Sequence, residues 1–190
     1  MKNHDNNNSK KAAANQLIVK IRPMKNNEIN DLFQLQEFSI RTLTSQDYNH
    51  EQIEAILNKN SRSSLFVQGT ITFVAECNNQ TVGFTTLNKI YHRIDAVFVH
   101  PHYAYQGIGK KLMLTLEQEA LSSKIKQLTV LASLTSVGFY KSLGYQYQNK
   151  VELSAVKIKV PCAFMTKQLL PFNTFEQLCA TVISLFVFGN

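Results

Sequence analysis

Tryptophan is absent from the chain, and cysteine and proline are scarce, with three and four residues in 190. The cysteines, Cys77, Cys162 and Cys179, are odd in number and form no CxxC pair. Neither a disulfide framework nor a zinc site is indicated, so reduced thiols in a cytoplasmic protein are expected. The N-terminal stretch MKNHDNNNSKKAAANQ lacks the apolar centre of a secretory signal. The apolar run at 178–188, LCATVISLFVF, falls short of the roughly 20 residues needed to span a bilayer, so no membrane span is expected. Acidic residues are nearly missing from the start of the chain. Residues 1–25 hold six Lys or Arg against Asp5 alone, which accounts for most of the formal charge of +7. The rest of the chain is close to neutral, which argues against a nucleic-acid-binding face, although the basic tail could touch phosphates weakly.

What is present fits one domain with tails. A chain of 190 residues that is 44% apolar can fill one core of ordinary size but not two. Residues 1–16 are too polar to support packing and read as a disordered basic, Asn-rich tail. Residues 17–170 carry the domain. Residues 171–190 form an apolar extension that needs a packing partner, in this chain or in another copy as a homodimer. No internal repeat is visible.

Periodicity places strands at 17–21, 65–67, 72–76, 81–87, 91–99, 128–132, 145–153 and 163–169, with helices at 28–40, 52–57, 108–120 and 136–143. The strands at 72–76 and 81–87 are joined by Asn78-Asn79, a hairpin signal within an antiparallel meander. In the segment VFVHPHYAYQGIGKKLM, at 97–113, a β-branched run passes through a proline turn into Gly107-Ile108-Gly109 and then a helix whose Ile108, Leu112, Leu116 and Ala120 share one face. Two glycines before a helix start can turn backbone N–H groups toward an anion such as a pyrophosphate. Glycines also simply end strands and start turns.

These residues carry a resemblance. A meander, a V-x-P strand end, a G-x-G turn opening a helix, and then Phe139-Tyr140 before Leu143-Gly144-Tyr145 resemble the GNAT superfamily of acetyl-CoA-dependent N-acetyltransferases across 17–170. The resemblance implies an α/β (α+β) fold with a mixed, mostly antiparallel central sheet of about six to seven strands flanked by helices. It also implies acetyl-CoA as co-substrate, no metal, and a primary amine of a small molecule or peptide as acceptor. The pyrophosphate would lie at Tyr105, Gln106, Gly107, Ile108, Gly109 and Lys110. Phe98, Val99, Ser133, Thr135 and Tyr140 would line the rest of the cofactor.

The resemblance places Tyr140 to protonate the departing thiolate. Its alternative is a core tyrosine, and Phe139 reads as core. The base is less determined. Asp95 shares strand parity with Val97 and Val99, and so with the position of a catalytic Glu in some members; Glu76, His92 or a water chain compete with it. His100 and His102 read as polar loop residues, and Tyr48, Gln52 and Ile53 as packing, with an acceptor lid as the alternative. Two positions depart from the family pattern. Ala104 stands where Gln or Arg is expected, with Gln106 or Lys110 as substitutes, and Ser133 stands seven before Tyr140 where Asn is common. They favour an alternative in which the fold is a catalytically weak CoA-binding or regulatory module. The acceptor amine is not legible in the sequence.

Overall fold

The computed structural model of the chain describes residues 18–59, 67–155 and 158–171. The expected tail at 1–16, almost all of the extension at 171–190, and most of the strand expected at 65–67 lie outside the described residues; Val67 itself is in a bend.

The described chain runs β1 (Val19–Pro23), α1 (Ile29–Leu43), α2 (His50–Lys59), β2 (Thr70–Cys77), β3 (Gln80–Asn88), β4 (Arg93–Val99), α3 (Ile108–Ser122), β5 (Gln127–Ser133), α4 (Val137–Ser142), β6 (Gln146–Ala155) and β7 (Ile158–Gln168). The seven strands form one sheet in the order β1-β2-β3-β4-β5-β7-β6. Every neighbouring pair is antiparallel except β4 with β5. The mixed, mostly antiparallel sheet expected from the sequence is thus what forms.

Local chemistry accounts for the turns. Asn78 and Asn79 link β2 to β3 with φ of 50° and 61°, a left-handed conformation that asparagine tolerates better than most residues. Gly144 ends α4 at φ 87°, where a side chain would be strained. The strand expected from residue 91 begins at Arg93 instead, because His92 turns left-handed at φ 50°.

The helices cover both faces of the sheet. Leu32 and Leu35 of α1 pack on Val74, Phe84 and Ala96, while Ile53 and Ala55 of α2 join Val160 and Cys162. On the other face, Met113, Leu116 and Ala120 of α3 and Tyr140 of α4 pack on Ile94, Val130, Ala163 and Met165. The four residues read as the inward stripe of α3 are all buried, which fixes that helix against β3 and β4.

The sheet is weakest as a sheet at its centre. β4 and β5 pair only at Arg93 with Thr129 and Ile94 with Val130, so their remaining residues diverge. This wedge positions the candidate site.

Candidate active site

Two cavities share the wedge. The larger, about 490 Å³, is bounded by Val97, Phe98 and Val99 of β4, by the turn residues Tyr105, Gly107, Gly109 and Lys110, and by Ser133, Thr135 and Phe139. The smaller, about 200 Å³, shares Val97, Phe98, Ser133 and Phe139 and continues past Tyr140 toward α2, β6 and β7. Of the residues expected to bind cofactor, only Gln106 and Ile108 line neither cavity. Ile108 is buried beneath its own helix, and Gln106 donates its side-chain amide to the His102 carbonyl at 3.1 Å.

Backbone alternation exposes hydrogen-bonding groups along the wedge. The His100 N–H donates to Val82 O at 2.9 Å and Ala96 O accepts from the Thr85 hydroxyl at 3.0 Å, both toward β3. Because N–H and C=O of one strand residue point to the same side and alternate along the strand, those of Val97 and Val99 turn into the gap. There β5 is too far to pair with them.

The turn after β4 is built from a proline-led helical turn at Pro101–Tyr103, then Tyr105 at φ 61° and Gly107 at φ 80°. Gly107 is the N-cap of α3, so the N–H groups of Ile108, Gly109 and Lys110 have no partner within the helix, and the positive end of the helix dipole lies at the turn where Gly107, Gly109 and Lys110 line the larger cavity. The two glycines serve different needs. A Cβ on Gly107 would meet nothing within 4 Å, and its requirement is the positive φ alone. A Cβ on Gly109 would lie 3.2 Å from the Phe139 ring, so this glycine lets α4 approach α3.

Tyr140 is buried, at 5% exposure, with its ring edge-to-face against Phe139 at 5.2 Å and Tyr145 at 5.4 Å. It belongs to the core and also lines the smaller cavity. Among the described residues its hydroxyl has no hydrogen-bond partner. Burial pushes this phenol above its ordinary range, so it stays protonated at neutral pH. Tyr145 is anchored behind it, donating to Glu117 at 3.2 Å, and Glu117 is held by Lys167 at 2.7 Å.

The carboxylates weighed as bases are engaged elsewhere. Asp95 lines the smaller cavity, yet its oxygens accept from Arg93 at 2.5 Å and Asn88 at 3.3 Å. The parity expected to align it with Val97 is interrupted. Thr86 pairs with Ala96 and Leu87 with Ile94, leaving Asp95 as an unpaired bulge residue. Glu76 lies on β2 in an ion pair with Arg22 at 2.7 Å and lines neither cavity. His92 is exposed in the turn before β4, at the end of that strand away from the glycine turn. The Glu76 pairing leaves no trace in the local sequence, because its partner Arg22 is 54 residues away, whereas Arg93 stands two residues from Asp95 and is a readable signal.

Ser133 and Thr135 are tied within the β5–α4 connection. The Ser133 hydroxyl donates to that of Ser136 at 2.9 Å, and Thr135 donates to Asp47 at 2.6 Å. Tyr48 fixes the same connection from α2's side. Its hydroxyl donates to Pro161 O at 2.8 Å and accepts from Leu134 N at 2.9 Å, while burial pushes its pKa up to about 12. Tyr48 and Ile53 are buried and Gln52 donates to Lys159 O, so the packing reading of this segment holds. His100 and His102 are more than polar loop residues. They cluster with the Phe38 ring at 5.1 and 6.2 Å, and burial, with the His102 charge adding to it, holds His100 below its ordinary pKa.

A family model for the acetyltransferase (GNAT) domain matches residues 42–160, from the end of α1 into β7. The chain belongs to this family. Its relatives include the uncharacterized N-acetyltransferase YafP of Escherichia coli K12, 33% identical over a 135-residue alignment that covers 68% of this chain and 85% of that protein. Among solved structures, a GCN5-related N-acetyltransferase from Rhodopseudomonas palustris superposes with a TM-score of 0.73 at 28% identity, covering 78% of this chain and 94% of that one. The PaiA N-acetyltransferase of Thermoplasma acidophilum, solved in complex with coenzyme A, shares the fold at a TM-score of 0.66 and 19% identity, covering 80% and 99%. The chain is therefore an N-acetyltransferase of the GNAT family. Among the described residues, no helix is long and apolar enough to cross a membrane.

Proposed function

We propose that the wedge between β4 and β5 transfers the acetyl group of acetyl-CoA directly to a primary amine, with Tyr140 as general acid. The carrying observation is the Tyr140 hydroxyl, unpartnered and kept protonated by burial, in the wall of a cavity continuous with the open edge of β4. The reaction forms one N–C bond and breaks one C–S bond; the amine gives up a proton and the sulfur takes one.

Each demand has a group suited to it. The turned-in N–H and C=O groups of Val97 and Val99 would bond the pantetheine amides as a neighbouring strand would. The N–H groups of Ile108, Gly109 and Lys110 would hold the pyrophosphate, with the exposed Lys110 side chain adding charge. This backbone-based grip tolerates Ala104, which removes one polar side chain from the turn, and it does not need Gln106, whose amide is spent on His102. Tyr140 delivers the proton to sulfur. Asp95, paired with Arg93, is better suited to orient water or the amine than to take a proton unaided, so the incoming amine loses its proton through solvent in the cavity.

Thiol release from acetyl-CoA over a panel of amines, beside a CoA titration, tests the reading. Tyr140→Phe keeps the ring and its two aromatic contacts. It is expected to bind CoA as the parent does and to turn over about 10²-fold more slowly, the usual scale for a positioned acid. Equal rates for the two proteins would return Tyr140 to the core. CoA binding with no thiol release on any amine would favour the regulatory module instead.

A further inference from the structure

We infer that the acceptor is a small primary monoamine with an apolar body, about one ring or a short branched chain in size, and that polyamines and other multiply charged amines are excluded. This deepens the acetyl-transfer reading and rests on it. The smaller cavity lies beyond Tyr140 on the side away from the glycine turn, and its far wall is Ala55, Ile56, Leu153, Val160 and Cys162. That wall carries no charge. Asp95 is the single carboxylate among the residues lining the cavity, and its charge is already paired with the Arg93 guanidinium.

Two consequences follow from that wall. A second ammonium group carried into the cavity would meet no free counter-charge, and burying it unpaired is strongly unfavourable. A sugar-like body would leave hydroxyls facing Ile56, Leu153 and Val160 without partners, which is also unfavourable. An apolar body instead gains from leaving water. Size is bounded as well. A cavity of about 200 Å³ is of the order of the engineered apolar cavity of about 150 Å³ that takes up benzene. The reactive nitrogen then sits at the junction with the larger cavity, near Tyr140, with the apolar body directed toward α2 and β7.

The test compares phenethylamine, spermidine and glucosamine on the full chain, with thiol release corrected for the fraction of neutral amine. Phenethylamine is expected to exceed both others in kcat/KM by about tenfold or more, the scale of one well-filled apolar subsite. Binding of the same three amines to the CoA-saturated protein, measured by calorimetry, supplies a readout that does not need turnover. Leu153→Glu, on the partly exposed strand β6, should lower phenethylamine use and raise spermidine use; Ile56→Glu on α2 is the parallel variant should the first not fold. Spermidine or glucosamine matching phenethylamine in both rate and binding would overturn the proposal, even with brisk thiol release. Preferential binding of phenethylamine without thiol release from any amine would support the cavity's preference while removing the acetyl-transfer reading.

Discussion

Single side chains in this protein often hold two distant segments at once. Tyr48 is the clearest case, since its hydroxyl serves the Pro161 carbonyl on β7 and the Leu134 N–H after β5. Tyr48→Phe strands both groups, and an expected loss of about 1 kcal/mol follows for leaving these part-buried partners unmade. At roughly 2–4 °C per kcal/mol for a domain of this size, calorimetry would detect it as a lowered melting temperature. An unchanged melting curve would mean that water replaces the phenol at no loss. Gly107 gives a second test at this scale. Gly107→Ala meets no atom yet forces alanine to φ near 80°, so a destabilisation of about 1 kcal/mol from strain alone is expected. Gly109→Ala acts differently, by pushing on Phe139. The sequence pattern G-x-G made both glycines legible, but not that the second is there for α4, because that contact spans about thirty residues of chain.

At the level of elements, short-range signals were readable and long-range pairings were not. The Asn78-Asn79 hairpin and the buried stripe of α3 follow from spacing and turn chemistry, which act within a few residues. The bulge at Asp95 depends on the register of β4 with β3, the insertion of β7 between β5 and β6 on partners far along the chain, and the ion pair of Arg22 on Glu76, 54 residues away, as well as on the nearby Glu28. The last of these ties β1 to β2 and to the start of α1. The Arg22 guanidinium, by hydrogen bond first and by charge after it, holds the Glu28 carboxyl below the usual glutamate range. Its stabilisation is therefore complete above the unfolded pKa of about 4.3 and is lost as pH falls through the lower folded value. Urea midpoints at pH 7 and pH 3 should show the parent well above Glu28→Gln at neutral pH and the gap narrowing in acid. A gap of the same size at both values would show that the contact stabilises through packing rather than charge.

For the molecule as a whole, the sheet is two antiparallel pieces joined through two residue pairs between β4 and β5, and helices on both faces bridge the join. That division leaves the backbone of Val97 and Val99 open in the middle of the fold, where an ordinary sheet would bury its ladder. Cofactor binding would then complete the sheet at its gap. Amide exchange with and without saturating CoA measures this most directly. CoA is expected to slow exchange at Val97 and Val99 and at Ile108, Gly109 and Lys110, with β1 and the β2–β3 hairpin unaffected. Unchanged exchange at those five amides under conditions where CoA is bound would contradict it.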